Sequence, residues 1–182
     1  MKNKLDRINV LVTAVGGDIG RKICFIIKEA FPKFTIIGTD SRVIKDANNY
    51  VDKFIKISDA SKRGYIIQLN KIIKDNKIKF AYPNNENEIR KILDNTSELK
   101  SHLFVHTGNQ IFDLSYDKFA TAKKLKSINI SVPWTIKSYN SIPNNFPCIL
   151  KKRVGSGSKD VEIIKNINDA KKHIRKQNFI FQ

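Results

Sequence analysis

One stretch of the chain has residue types and spacing suited to holding phosphate: Ile149-Leu150-Lys151-Lys152-Arg153-Val154-Gly155-Ser156-Gly157-Ser158-Lys159-Asp160-Val161. The apolar residues at each side read as two strands of a hairpin, with glycines and serines at the tip. Such a tip exposes backbone N–H groups, which together with the hydroxyls can wrap around phosphate oxygens. Lys151, on the strand leading in, can place its ammonium on a phosphate. No lysine–serine or lysine–threonine pair opens a helix behind the loop, so it is not a Walker loop. The same composition also suits an ordinary mobile turn.

A second stretch, Thr13-Ala14-Val15-Gly16-Gly17-Asp18-Ile19-Gly20, falls at a strand-to-helix turn. Glycines there let backbone approach a phosphate, and the helix N-terminus favours an anion. Asp40, at the end of the next strand, sits where a ribose-binding acid would sit. Three readings stay open for Gly16 and Gly17: close packing of helix on strand, contact with a small ligand, or dinucleotide binding. Pro83, Asn84, Asn85 and Glu86 follow a later strand at its C-terminal end, where α/β sheets bind ligands, which makes them candidate substrate contacts. Glu86 suits a helix-start charge equally well. Asp117-Lys118, on a helix ahead of the hairpin, reads on its own as a solvated pair.

The elements that must position these residues alternate. Ile8 to Val15 is a β-branched run ending at Gly16-Gly17. Asp18 can cap the following helix, in which Ile19, Ile23, Ile26, Ile27 and Ala30 share a face. Phe34 to Gly38 is a second strand, Lys53 to Ile57 a third, Ile78 to Tyr82 a fourth and Leu103 to His106 a fifth. Helices over Tyr65 to Lys74 and Glu86 to Leu93 lie between them, with apolar stripes Ile66, Leu69, Ile72, Ile73 and Ile89, Ile92, Leu93. This order predicts a Rossmann-like, doubly wound parallel α/β sheet over residues 1–110.

Beyond that block the pattern changes. Ser115 is placed to cap a helix carrying Phe119, Ala122, Leu125 and Ile128. Ser131 to Thr135 is extended around Pro133. The hairpin strands follow, then a short basic helix over Asp169 to Lys176 and an apolar strand, Phe179 to Phe181. Residues 111–182 thus predict a second, small α+β unit. The chain stops inside an apolar strand, which reads as a truncation, and a second copy of the chain is one way to cover that strand.

Composition sets the outer bounds. Of 182 residues, 41% are hydrophobic, enough for a core, and no apolar run is long enough to span a bilayer. The N-terminus lacks a signal-peptide pattern, so the cytoplasm is the expected compartment. Cys24 and Cys148 match no metal spacing and read as buried reduced thiols. His102, His106 and His173 read as structural. The net charge of +17 comes from lysines spread over nearly every segment. Abundant Lys, Asn and Ile together match the bias of an AT-rich genome, and no RNA-recognition motif is visible. A basic nucleic-acid module, with salt-dependent binding, is therefore the least favoured reading.

The Thr13 turn resembles that of the short-chain dehydrogenases, Thr-Gly-x-x-Gly-x-Ile-Gly. Ala14, however, replaces the first glycine, where a β-carbon would crowd a pyrophosphate. No tyrosine is followed four residues later by the lysine that, with it, protonates a carbonyl; Tyr116 is followed by Ala120. An NAD(P)-binding protein of that type is the alternative.

The order of the segments resembles another family more fully. A Rossmann-like domain, Asp117-Lys118 on a helix, Val132-Pro133-Trp134-Thr135, Phe146-Pro147-Cys148-Ile149-Leu150-Lys151, the Gly-Ser hairpin and Phe179-Ile180-Phe181-Gln182 together resemble the ATP-grasp ligases, nearest the carbamoyl-phosphate synthase large-chain-like members. The resemblance covers essentially the whole chain. It implies a pre-ATP-grasp domain over 1–110 that helps bind substrate, and the first part of an ATP-grasp domain over 111–182. Lys118, Lys151 and Arg153 would be nucleotide-binding cations, and Gly155, Ser156, Gly157 and Ser158 the loop over the β- and γ-phosphates. Gly16, Gly17, Asn85 and Glu86 are the candidate substrate contacts. The implied partners are ATP with Mg2+ and a carboxylate or amine substrate activated as an acyl phosphate. Asp160 departs from the family, which has glycine before Val161. The family's metal-binding carboxylates and asparagine have no counterpart before Gln182, so the resemblance implies that this polypeptide alone does not turn ATP over.

Overall fold

The β-branched runs pair as a period-two pattern requires, with both sheet faces buried. In the computed structural model, residues 8–99, 103–155 and 160–182 are described. The chain divides into two compact units, Met1–His106 and Thr107–Gln182.

The first unit is a parallel sheet of β1 (Ile8–Val12), β2 (Phe34–Asp40), β3 (Lys53–Lys56) and β4 (Phe80–Tyr82), ordered β3-β2-β1-β4. Helices α1 (Asp18–Ala30), α2 (Tyr65–Asp75) and α3 (Glu86–Leu93) complete it. Successive side chains point to opposite faces. Val10, Val12 and Ile36 therefore pack with Cys24 and Val51, while Leu11 and Ile37 pack with Leu69, Ile73, Ala81 and Ile92. Two covered faces are what a parallel sheet with crossover helices requires. The expected fifth strand at Leu103 to His106 is reduced to one parallel bridge, Phe104 to Ala81, with the Val105 N–H donating to the Ala81 carbonyl at 2.8 Å.

The α1 stripe is rotated from the one expected. Ile19 and Ile26 are exposed, as is Ala30; the inward face is Gly20, Ile23, Cys24 and Ile27. A β-carbon on Gly20 would lie 2.5 Å from the Ala14 carbonyl oxygen, so glycine is what lets the helix start this close to the strand. The N-cap is Gly17 rather than Asp18, whose carboxylate sits in the first turn, where the helix dipole favours it.

The second unit has α4 (Asn109–Tyr116) and α5 (Lys118–Ser127), then a four-stranded antiparallel sheet. Its strands are β5 (Ile136–Lys137), β6 (Cys148–Lys152), β7 (Val161–Ile164) and β8 (Phe179–Phe181), ordered β5-β8-β6-β7, with α6 (Ile167–Lys171) between β7 and β8. Ser115 does not cap a helix. It lies within α4, donating from Oγ to the Phe112 carbonyl at 3.0 Å, and the cap of α5 is Asp117. The apolar strand expected to need a second copy is covered within the chain: β8 lies between β5 and β6, and Ile180 and Phe181 are fully buried. Cys24 and Cys148 are both free and buried, and burial pushes the Cys24 thiol up to about 12. Among the described residues no helix is long and apolar enough to cross a membrane.

Candidate functional site

In the second unit, one junction brings the predicted cations together. Asp117 is extended, at φ −97 and ψ 104, which separates α4 from α5 and frees its side chain to cap α5. Its Oδ1 accepts from the N–H groups of Phe119 at 3.0 Å and Ala120 at 3.3 Å. Asp117 also bridges to Val154 across the end of β6, and the Lys118 N–H donates to the Arg153 carbonyl at 2.9 Å. The start of α5 is thus tied to the root of the hairpin.

The side chains complete the junction. The Arg153 guanidinium grips the Asp117 carboxylate through Nη2 and Nε. That grip holds the Asp117 carboxyl below its ordinary range. Lys118 Nζ reaches across to donate to the Gly155 carbonyl at 2.5 Å. Gly155 has φ +124, a conformation that side chains other than glycine's rarely permit. Lys151, half-buried on β6, donates to the Gln182 side-chain carbonyl. Burial, with the Lys118 charge nearby, lowers the pKa of the Lys151 ammonium. Ser156, Gly157 and Ser158 lie outside the described residues.

The charges sort into two kinds. Arg153 is compensated by Asp117, and Lys152 by Asp160 at 2.8 Å. Asp160, the departure from the family pattern, therefore faces a lysine. Lys118 and Lys151 meet neutral oxygens instead and, among the described residues, have no carboxylate partner. Two uncompensated ammonium groups within reach of each other's field are a place where an anion lowers the energy.

The first unit handles its predicted site differently. Ala14 takes the left-handed conformation, φ 50, that glycine adopts freely. The space over Gly16 is filled, since a β-carbon there would sit 2.3 Å from Ile44 Cδ1 and 2.8 Å from Asp40 Oδ2. Gly17 is more open, with the Ala14 carbonyl oxygen at 3.5 Å. Asp40 accepts from the Gly16 N–H at 2.9 Å and from the Arg42 N–H at 2.9 Å and Nε at 3.2 Å. Burial alone would raise the Asp40 carboxyl, but these hydrogen bonds outweigh it and hold it below the ordinary range. Asn85 caps α3 by accepting from the Asn87 N–H at 2.9 Å, and Glu86 begins that helix.

Sequence reasoning missed Glu88 altogether. It is buried, and it accepts a 2.5 Å hydrogen bond from the Thr13 hydroxyl. Asn84 joins them, donating its N–H to Thr13 Oγ1 at 3.2 Å and its amide to the Thr13 carbonyl at 2.9 Å. Burial pushes the Glu88 carboxyl up to about 6, against the Thr13 hydrogen bond and with the charges of Asp40 and Asp59 adding to the rise. Nothing in a glutamate in the first turn of a helix, two residues after Glu86, signals this. The native state holds the proton more tightly than the unfolded chain, whose ordinary value is 4.5. The resulting stability is complete below that value and is lost as pH rises through about 6. The difference is worth roughly 2 kcal/mol. Glu88→Gln, which cannot ionise, should match wild type near pH 4 and exceed it by about 1–2 kcal/mol near pH 7.5. Denaturant melts at the two pH values check this; a difference independent of pH would refute it.

Among the described residues no three His, Cys, Asp or Glu converge as a metal site would need. His173 is buried, with Nε2 3.2 Å from Glu162 Oε1. His102 lies outside the described residues.

Residues 10–105 match the family model of the PylC-like N-terminal domain, and residues 115–182 that of an ATP-grasp domain. The chain belongs to the ATP-grasp proteins with a PylC-like N-terminal domain. Solved structures similar to this ATP-grasp chain include N5-carboxyaminoimidazole ribonucleotide synthetase from Thermotoga maritima, at 19% identity and TM-score 0.65, covering 96% of this chain and 45% of that one. The L-amino acid ligase from Bacillus licheniformis matches at 11% identity and TM-score 0.69, covering 96% and 43%. The D-alanine-D-alanine ligase from Helicobacter pylori matches at 13% and 0.51, covering 96% and 61%. At such identities the likeness is one of fold. The ATP-grasp chain spans less than two thirds of the length of each of these. No curated protein sequence matches it.

Proposed function

We propose that the chain forms the nucleotide-holding front part of an ATP-dependent ligase that activates a carboxylate as an acyl phosphate for attack by an amine, in the manner of the carbamoyl-phosphate synthase-like enzymes. The observation that carries this is the pair Lys118 and Lys151, two ammonium groups without carboxylate partners among the described residues, at the root of a Gly-Ser hairpin. ATP would supply the phosphoryl group. Lys118, tied to the loop root through the Gly155 carbonyl, and Lys151, on the rigid strand β6, would bind its phosphates. Gly155, Ser156, Gly157 and Ser158 would offer N–H and hydroxyl donors to the same oxygens. Arg153 would act by holding Asp117, and through it the start of α5, in place. Residues 1–110 would help hold the substrate, with Gly17, Asn85 and Glu86 at the C-terminal edge of the sheet. Magnesium would arrive with the triphosphate, and no step is assigned to it among this chain's residues. On this reading the chain alone binds ATP without turning it over.

The dehydrogenase alternative has less support. The carboxylate that would take a ribose is already engaged by Gly16 and Arg42.

Thermal-shift titration with ATP and magnesium tests the proposal. Wild type is expected to rise in melting temperature as ligand saturates. Lys118→Ala and Lys151→Ala should each weaken binding by about tenfold or more, the loss of one charge-assisted contact. An unchanged titration in both variants would exclude these lysines. Binding of NADPH instead of ATP would favour the dehydrogenase.

A further inference from the structure

Lys151 differs from the two cations that follow it on the chain. Lys152 and Arg153 each meet a carboxylate, whereas Lys151 donates to the neutral carbonyl of the Gln182 side chain. That amide is oriented from its other end. Gln182 Nε2 donates to Thr135 Oγ1 at 2.9 Å, and the Thr135 hydroxyl gives its single proton to the Pro133 carbonyl at 3.0 Å. With its proton committed, the Thr135 oxygen can only accept, so the amide must turn its NH2 to Thr135 and its oxygen to Lys151. A flipped amide would set donor against donor at Lys151. The Gln182 backbone is fixed as well, exchanging hydrogen bonds of 2.9 and 2.7 Å with Ile149.

We infer that Gln182 is a positioning residue for Lys151: its amide, oriented by Thr135, aims the ammonium without neutralising its charge. The inference rests on the nucleotide reading only for what the ammonium is aimed at. A neutral acceptor favours the charged amine through a charge-assisted hydrogen bond, yet leaves the full positive charge for an anion. A carboxylate at the same place would form an ion pair that an incoming phosphate has to break. One of the three ammonium protons is used by Gln182, which leaves two for a ligand.

The test uses the full chain with isotopically labelled lysine. The Lys151 side-chain signal is assigned by its disappearance in Lys151→Arg and titrated by NMR. ATP affinity is measured by calorimetry. Gln182→Glu should raise the Lys151 titration midpoint and weaken ATP binding about tenfold, whereas Gln182→Leu should lower the midpoint and weaken binding to a similar degree, about tenfold. Thr135→Val, which frees the far end of the amide, should move the midpoint in the same direction as Gln182→Leu but by less. An unmoved midpoint in Gln182→Glu and Gln182→Leu would overturn the inference, including when ATP binding weakens, because that pattern marks a merely structural role. If Gln182→Leu does not fold, the near-isosteric Gln182→Glu decides the matter alone. Should wild type fail to bind ATP, the nucleotide reading falls while the titration still decides the relay.

Discussion

Phe181→Ala is expected to destabilise the second unit by roughly 3–5 kcal/mol, the range for truncating a fully buried phenylalanine. Phe181 has no exposed surface and packs with Cys148, Leu150, Ile164 and Ala170, a small core in which it is the largest side chain. A domain's whole margin is about 5–15 kcal/mol, so a loss of this size removes much of it. Phe181 also pairs with Ile136 on β5 and Leu150 on β6, so the damage reaches both neighbouring strands. Lys151 follows its β6 partner Leu150 and Gln182 follows it along the chain, so on the nucleotide-binding proposal ATP binding should fail together with the fold of this unit. Trp134, the chain's single tryptophan, lies in the second unit, so its fluorescence during denaturant unfolding follows that unit. A midpoint shift worth under about 1 kcal/mol would show that the core relaxes around the cavity far more than such sites usually do.

The second large effect is expected at Asp117. Asp117→Ala removes an N-cap, typically about 1 kcal/mol, and a partly exposed ion pair with Arg153 worth up to about 1 kcal/mol after solvent screening. The expected total is about 2 kcal/mol. Asp117→Asn separates the two contributions, because an amide oxygen still caps α5 while the charge on Arg153 goes unanswered; its cost should be about half. The pH dependence follows from the direction of the shift. The folded-state carboxyl lies below its ordinary value of 3.8, chiefly through the Arg153 hydrogen bond. Its contribution is therefore present above that value and is lost as pH falls through the depressed one. Chemical denaturation of the three proteins at neutral pH and at pH 3 measures both effects. Equal stability of Asp117→Ala and Asp117→Asn would mean that the cap contributes nothing.

On the nucleotide-binding proposal, this junction gives Arg153 the part of a support for Asp117. Its fork is taken by Asp117, whereas Lys118 and Lys151 have no carboxylate partner among the described residues. A lysine beside an amide or a carbonyl stays fully charged towards an anion. An arginine in a carboxylate's grip does not.

The sequence by itself determined the parallel α/β unit, the hairpin and the order of segments that marks an ATP-grasp chain. Runs such as Ile8 to Val12 and Phe34 to Gly38, spaced by an amphipathic helix, have few other ways to bury their side chains. The stripe Ile66, Leu69, Ile72, Ile73 on α2 was legible for the same reason, and all four are buried. On α1 the same logic chose Ile19 and Ile26, because hydrophobicity alone does not register that Gly20 must lie against the Ala14 carbonyl. Close approach of backbone outranked side-chain size there. Ser115 was the expected cap, and Asp117 takes that place because its extended backbone, bridged to Val154, ends α4 and starts α5 there. Tertiary structure alone decided which charges are answered. Glu88 met Thr13 across 75 positions of sequence, Arg153 met Asp117 across 36, and Lys151 met Gln182 across 31. Local pattern encodes which face of an element turns inward, because that depends on the element's own periodicity. It does not encode which distant partner a polar side chain finds, because that is set when the sheets close and every buried donor and acceptor must be satisfied.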